Sequence, residues 1–279
     1  MEPKHGAANM FWLLELRRMA SQRGCQVMLT GNKGNEGISW TGDAFSQPLF
    51  FQVQQLGLRK WLRQTMARRA PAKLRSGVWR YKAKRKGFRD TAIHPDFANR
   101  LDLLTRYMDD QDGAGAEIAL PPRCLGINPG AALQASAQAE MGAASGLDMR
   151  DPTGDARVLG FCFSVPDRIF MDPATGLDRW LIREAMKGRL PDSVRLNRRR
   201  GRQAGDLVPR LRSSAAAVDE AVGEIEHGPA AEYIDVPAMR ELWQRIRSED
   251  SPETFARATS IFMRGIMAGL FVNGFGSEW

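Results

Sequence analysis

Three cysteines and three histidines are all that the 279 residues offer. Cys25, Cys124 and Cys162 stand far apart, without the paired spacing of a disulfide framework or a zinc site. His5, His94 and His227 are equally scattered, which argues against a histidine-built metal centre, and no protein metal ligand is assigned. A reducing cytoplasm is the expected compartment. No run reaches the roughly 20 apolar residues of a membrane span. The nearest, residues 261–275, is interrupted by Arg264, Asn273 and glycines. The N-terminus lacks the apolar core of a signal peptide, so a soluble chain without a membrane partner is expected. Neither the dinucleotide-type nor the Walker-type glycine pattern occurs.

Acidic residues are missing where basic ones crowd. Between Arg59 and Arg89 there are thirteen basic residues and no acidic one, and the net charge is +8. Such a balance implies an anionic partner. Trp61, Trp79, Tyr81 and Phe88 are interleaved with the charges, a mixture that serves phosphate contact and base stacking. Two readings stay open: a surface for nucleic acid or an acidic peptide, or a solvated basic helix and loop.

What is present begins with Val27-Met28-Leu29-Thr30-Gly31-Asn32-Lys33-Gly34-Asn35-Glu36-Gly37. A short apolar run, expected to be a buried strand, empties into a glycine-rich loop that carries Thr, Asn and Lys donors. A strand followed by such a loop is how α/β sheets present an anion site. Residues 10–23 read as an amphipathic helix with Asn9 as its cap, a Trp12, Leu13, Leu16, Met19 and Ala20 stripe, and Gly24 closing it. Residues 45–66 are helical in period. Residues 109–130 read as an irregular acidic connection, 131–145 as an alanine-rich helix, and Asp178 as the cap of a helix through Met186. Ser251-Pro252-Glu253 opens a last long helix, with a stripe through Phe255, Ala258, Phe262, Ile266 and Leu270. The expected body is mostly helical around one short parallel-type strand, which needs companions it does not obviously have.

Three segments, in order, resemble the synthetase domain of the asparagine synthetase family, which includes β-lactam synthetases and lasso-peptide cyclases. Residues 29–36 are similar to that family's Leu-Ser/Thr-Gly-Glu/Gln-Gly-Ser/Gly-Asp-Glu loop, with Trp40-Thr41-Gly42 where Gly-Gly-Tyr usually follows. Asp148-Met149-Arg150-Asp151-Pro152-Thr153-Gly154-Asp155 looks like Glu-x-Arg-x-Pro-Phe-Leu-Asp, and the apolar helix Val158 to Val165 ends at Pro166 as expected. Residues 179–194 and then Arg198-Arg199-Arg200-Gly201 match the longest pattern, more than twenty residues in register.

The resemblance implies an α/β adenine-nucleotide fold of the PP-loop ATP pyrophosphatase kind, of which this chain would be the mostly α, C-terminal part. It implies ATP-dependent amide formation through carboxylate adenylation and amine attack. Thr30, Gly31, Asn32, Lys33 and Gly34 would hold ATP, and Arg199 would take the place of the family's transition-state lysine. Three features depart from the pattern. The pyrophosphate-binding Ser-Gly-Gly-x-Asp-Ser loop and the glutaminase cysteine do not occur in these residues. A single incomplete domain, inactive alone and dependent on an upstream segment or separate subunit, is therefore expected. Asn32 and Asn35 stand where acidic residues are usual, which weakens magnesium binding. Arg199 keeps the charge of lysine but not its capacity to donate a proton near neutral pH. The alternative is a non-catalytic partner that uses residues 59–89 to hold an acidic peptide or nucleic acid.

Overall fold

The computed structural model describes residues 7–116, 132–199 and 201–276. Expectations for His5, Cys124, Arg200 and the stretch 117–130 fall outside the described residues. The chain divides into two compact units, one from residues 7–13, 73–116 and 201–276, the other from 14–72 and 132–199.

The first unit is helical: α4 (Ala72–Lys86), α5 (Pro95–Arg100), α6 (Leu103–Ala116), α11 (Leu207–Ser213), α12 (Ala215–His227), α13 (Val236–Ser248), α14 (Pro252–Arg257) and α15 (Met263–Gly276). Its core is built by helical spacing. Val218, Val222 and Ile225 of α12 meet Met239, Leu242, Trp243 and Ile246 of α13, all buried. The last helical path supplies Ala258, Ile261, Phe262 and Ile266. Phe262 is fully buried and stacks on Trp243 with ring centroids 5.5 Å apart. Gly269 lets this path approach α12 closely, because a Cβ there would lie 2.7 Å from Ile225 Cδ1. Ser251 Oγ accepts from Thr254 N at 3.0 Å and Pro252 occupies the first turn, as the sequence predicts. Residues Pro252–Phe275 have the length and hydropathy of a membrane span, with 33% of the window buried. Ala258, Ile261, Phe262 and Ile266 of this stretch are buried in the core, while Phe275 is 42% exposed.

The second unit holds the only strands among the described residues, β1 (Val27–Leu29) and β2 (Asp148–Arg150), paired in parallel with Met28 opposite Met149. The expected mostly helical body with a short parallel sheet is therefore present, and the companion strand comes from the second family-like segment. β1 is not the buried strand anticipated: Val27 is 46% and Leu29 is 67% exposed. Around the pair lie the C-terminal part of α1 (Met10–Gln22), α2 (Leu49–Leu56), α3 (Leu58–Arg69), α7 (Ala132–Ala143), α8 (Ala156–Ser164), α9 (Trp180–Ala185) and α10 (Asp192–Arg195).

Several boundaries differ from expectation. Gly24 takes φ +75° and ends α1 as predicted, but the buried residue of α1 is Arg17, while Leu16 is 45% exposed. Residues 45–66 form two helices, because Gly57 at φ +74° is a conformation that breaks the path. Residues 109–116 continue α6 instead of forming a loop. Asp178 does not cap α9: it bridges Met171 in antiparallel fashion, and Arg179 occupies the cap position. The basic segment 59–89 is divided between the units, α3 in one and α4 in the other.

Candidate functional site

The ladder runs one step past the strands, as Thr30 N donates to Arg150 O at 2.8 Å. Both strands then enter short 3-10 turns, Asn32–Asn35 and Pro152–Gly154, at the same carboxyl end. Asp151 ties the turns together. Its Oδ2 accepts from Lys33 N at 2.8 Å, while Oδ1 accepts from Thr153 N at 3.0 Å and Thr153 Oγ1 at 2.5 Å. The turns also pack closely: a Cβ at Gly154 would meet Lys33 Cγ at 3.3 Å, and one at Gly34 would meet Thr153 at 3.8 Å.

A cavity of about 200 Å³ opens at these strand ends, lined by Thr30, Asn32, Lys33, Gln138, Arg150 and Asp151 among others. Most of its open lining is apolar, with hydroxyl, amide and ammonium groups at the turns, and both oxygens of its single carboxylate are already engaged. The few polar groups at the turns are of the kind that meet an oxyanion. Three of the five residues expected to hold a nucleotide, Thr30, Asn32 and Lys33, face this cavity. Gly31 is the exposed entry to the turn, and Gly34 is its buried backbone.

Arg199 lies elsewhere. It lines a separate cavity of about 140 Å³ with Asp178, Arg179, Arg183, Asn197 and Arg198, and the two cavities share no lining residue. The long third motif builds this second cavity through an arginine clamp. Arg183 Nε donates to Asp178 O at 2.7 Å, Nη2 to Asn197 O at 3.1 Å, and Nη1 to Arg195 O. Arg195, with a 7% exposed side chain, pairs with Asp192 and Glu184. Asn197 Oδ1 accepts from Arg199 N at 2.8 Å. A thread of contacts links the first motif with the third: Trp40 stands edge-on to buried Phe170 at 5.2 Å, Gly42 packs on Met171, and Met171 bridges Asp178.

Sequence reasoning missed four contributors. Asp151 appears only as a motif letter, although it accepts three hydrogen bonds. Gln138 comes from the alanine-rich helix and has no local signal. Behind it, Arg17 is 1% exposed and donates Nη2 to Gln138 Oε1 at 2.7 Å, while its Nε and Nη1 have no partner among the described residues. Burial pulls the Arg17 pKa below its usual value. The fourth is Glu36 of the same loop, which does not line the cavity but whose Oε2 is buried without a partner among the described residues.

Arg150 and Asp155 of the second motif do not pair with each other. Arg150 turns to Asp148 at 2.7 Å, and Asp155 caps α8 by accepting from Arg157 N at 2.8 Å. Asp206 stands at the start of α11 but pairs with Arg210 at 2.9 Å and makes no side-chain cap bond. The Arg157 guanidinium, then its backbone N–H, lowers the Asp155 pKa to about 2. A carboxyl-resolved NMR titration is expected to show that midpoint, against ~3.9 for an unperturbed aspartate. Because the folded value is the lower one, the cap's contribution is complete above the unfolded value and fades as pH falls through about 2.

No described group of three or more His, Cys, Asp or Glu residues is placed to hold a metal ion. Comparison with known proteins adds one finding. Searches of curated proteins and of solved structures return no match. The asparagine synthase family model matches residues 3–266, nearly the whole chain and all three motifs, and the chain belongs to that family.

Proposed function

We propose that the chain is the carboxylate- and phosphate-handling part of an ATP-dependent amide ligase with the PP-loop pyrophosphatase type of fold. The observation that carries this reading is the meeting of two distant motifs as parallel strands that open into one cavity lined by residues of both. In the proposed reaction a carboxylate oxygen attacks the α-phosphorus of ATP and pyrophosphate leaves. An amine then attacks the acyl carbon, AMP leaves, and the amine loses a proton. Lys33, Arg150 and the Thr30 hydroxyl hold the developing oxyanion charge. The cavity's size suits a phosphate or carboxylate end, with the rest of the nucleotide outside it. Glu36 supplies the loop's remaining acceptor. Arg199 acts electrostatically at the neighbouring cavity of the third motif, and it does not transfer a proton.

Magnesium does not fit this donor set. Asn32 and Asn35 are neutral, and Asp151, the cavity's one carboxylate, has both oxygens engaged. Charge on the phosphates is met here by Lys33, and by Arg150 once it exchanges its Asp148 partner for phosphate.

The exposed apolar residues of β1 support a second element of the proposal. Parallel sheets are ordinarily covered on both faces, yet Val27 and Leu29 are open. A further segment or subunit carrying the Ser-Gly-Gly-x-Asp-Ser loop would complete the sheet and the phosphate site. The 279-residue chain alone is expected to give no ATP–pyrophosphate exchange, and exchange is expected to appear when a polypeptide carrying that loop is added. AMP formation by the chain alone would overturn the need for a partner. Failure of the reconstituted pair with every carboxylate tested would overturn the ligase reading.

A further inference from the structure

A larger cavity, about 550 Å³, lies in the first unit and shares no residue with the strand-end cavity. Helical spacing creates it. Trp79, Lys82 and Lys86 recur on one face of α4, Tyr107 projects from α6, and Phe88, Arg264 and one carboxylate, Asp90, are among the rest of the lining. The rings of Trp79 and Tyr107 are 6.1 Å apart at 44°. Lys86 pairs with Asp90 at 3.1 Å, both side chains well exposed, which neutralises little. Lys82 and Arg264 have no carboxylate partner among the described residues.

Two aromatic faces beside uncompensated cations match a planar ring that carries an anion. An acidic peptide would use the cations and leave the rings idle, while each base offers a face for stacking. The volume falls in the range of small-ligand pockets. We propose that this cavity binds a mononucleotide, with the base against Trp79 and Tyr107 and the phosphate at Lys82 and Arg264. It is a second nucleotide site, independent of the proposed ligase chemistry.

The test is calorimetric titration of the full chain with AMP in a Lys33→Ala background, which weakens binding at the strand-end cavity. AMP is expected to bind, and to weaken about tenfold or more in Trp79→Ala and in Lys82→Glu. Trp79→Phe keeps a ring and is expected to retain most of the affinity. Lys82 is exposed, so its reversal leaves the fold intact. Adenosine and ribose 5-phosphate, each lacking one half of the recognition, are expected to bind more weakly than AMP. The proposal is overturned if AMP does not bind in this background, or if neither Trp79→Ala nor Lys82→Glu changes its affinity. Binding of a ten-residue oligodeoxyadenylate far more tightly than AMP would also overturn it, in favour of a single-strand surface.

Discussion

Asp151→Ala is expected to weaken ATP binding at the strand-end cavity at least tenfold and to destabilise the second unit by about 2–3 kcal/mol. The reason is the three bonds this carboxylate accepts. One holds the Lys33 amide and two hold Thr153, so a single side chain sets the spacing between the turns that line the cavity. With alanine, Lys33 N and Thr153 N lose a charged acceptor, and the loop keeps only its Thr30 N–H on Arg150 O as a backbone tie to β2. Asp151→Asn keeps one acceptor but sets an amide N–H against a backbone donor, so it is expected to recover only part of the loss. Calorimetric titration with ATP gives the affinity and urea unfolding gives the stability. An Asp151→Ala chain that binds ATP as the parent does would show that the turns hold their spacing without it.

Phe262→Ala is expected to produce the largest loss of stability, about 3–5 kcal/mol for a fully buried aromatic. Phe262 has no exposed surface and stacks on Trp243, whose indole N–H is anchored on Asp219 Oδ1 at 2.6 Å. The substitution removes a ring from the junction of α13 and the final helical path. Close packing of Gly265 on Met239 and Gly269 on Ile225 leaves those backbones no room to shift into the gap. Urea unfolding followed by tryptophan fluorescence reports the change, because Trp243 lies beside the cavity created. A loss below about 1 kcal/mol would mean that the first unit's core can close over the space.

Much of the site was legible before the fold. The strand, its glycine loop and the second motif mark both walls of the cavity, and Gly24, Ser251 and Pro252 mark helix ends for local steric reasons that need no tertiary context. The unread parts depend on what meets what. Asp151 and Gln138 gain their roles from a pairing of β1 with β2 across roughly 120 residues, and local pattern cannot reveal that register. Arg17 sits on the apolar side of a helix whose leucines look like the core, and only the neighbouring Gln138 explains it. The matched register of the third motif names Arg199 as a site residue, but its carbonyl clamps place it in another cavity. Residues 207–248 carry no motif, yet α11, α12 and α13 supply most of the first unit's core. The basic segment reads as one surface because its charges are contiguous, while the chain in fact crosses from one unit to the other within it.

The central claim is that ATP meets the chain at the carboxyl ends of β1 and β2. Backbone amide NMR of the uniformly labelled chain during an ATP titration tests it most directly. The account predicts saturable shifts at Thr30, Asn32, Lys33, Arg150 and Asp151, the amides that surround the strand-end cavity. Saturation that leaves these five amides unmoved, with shifts confined to residues of the first unit, would contradict it.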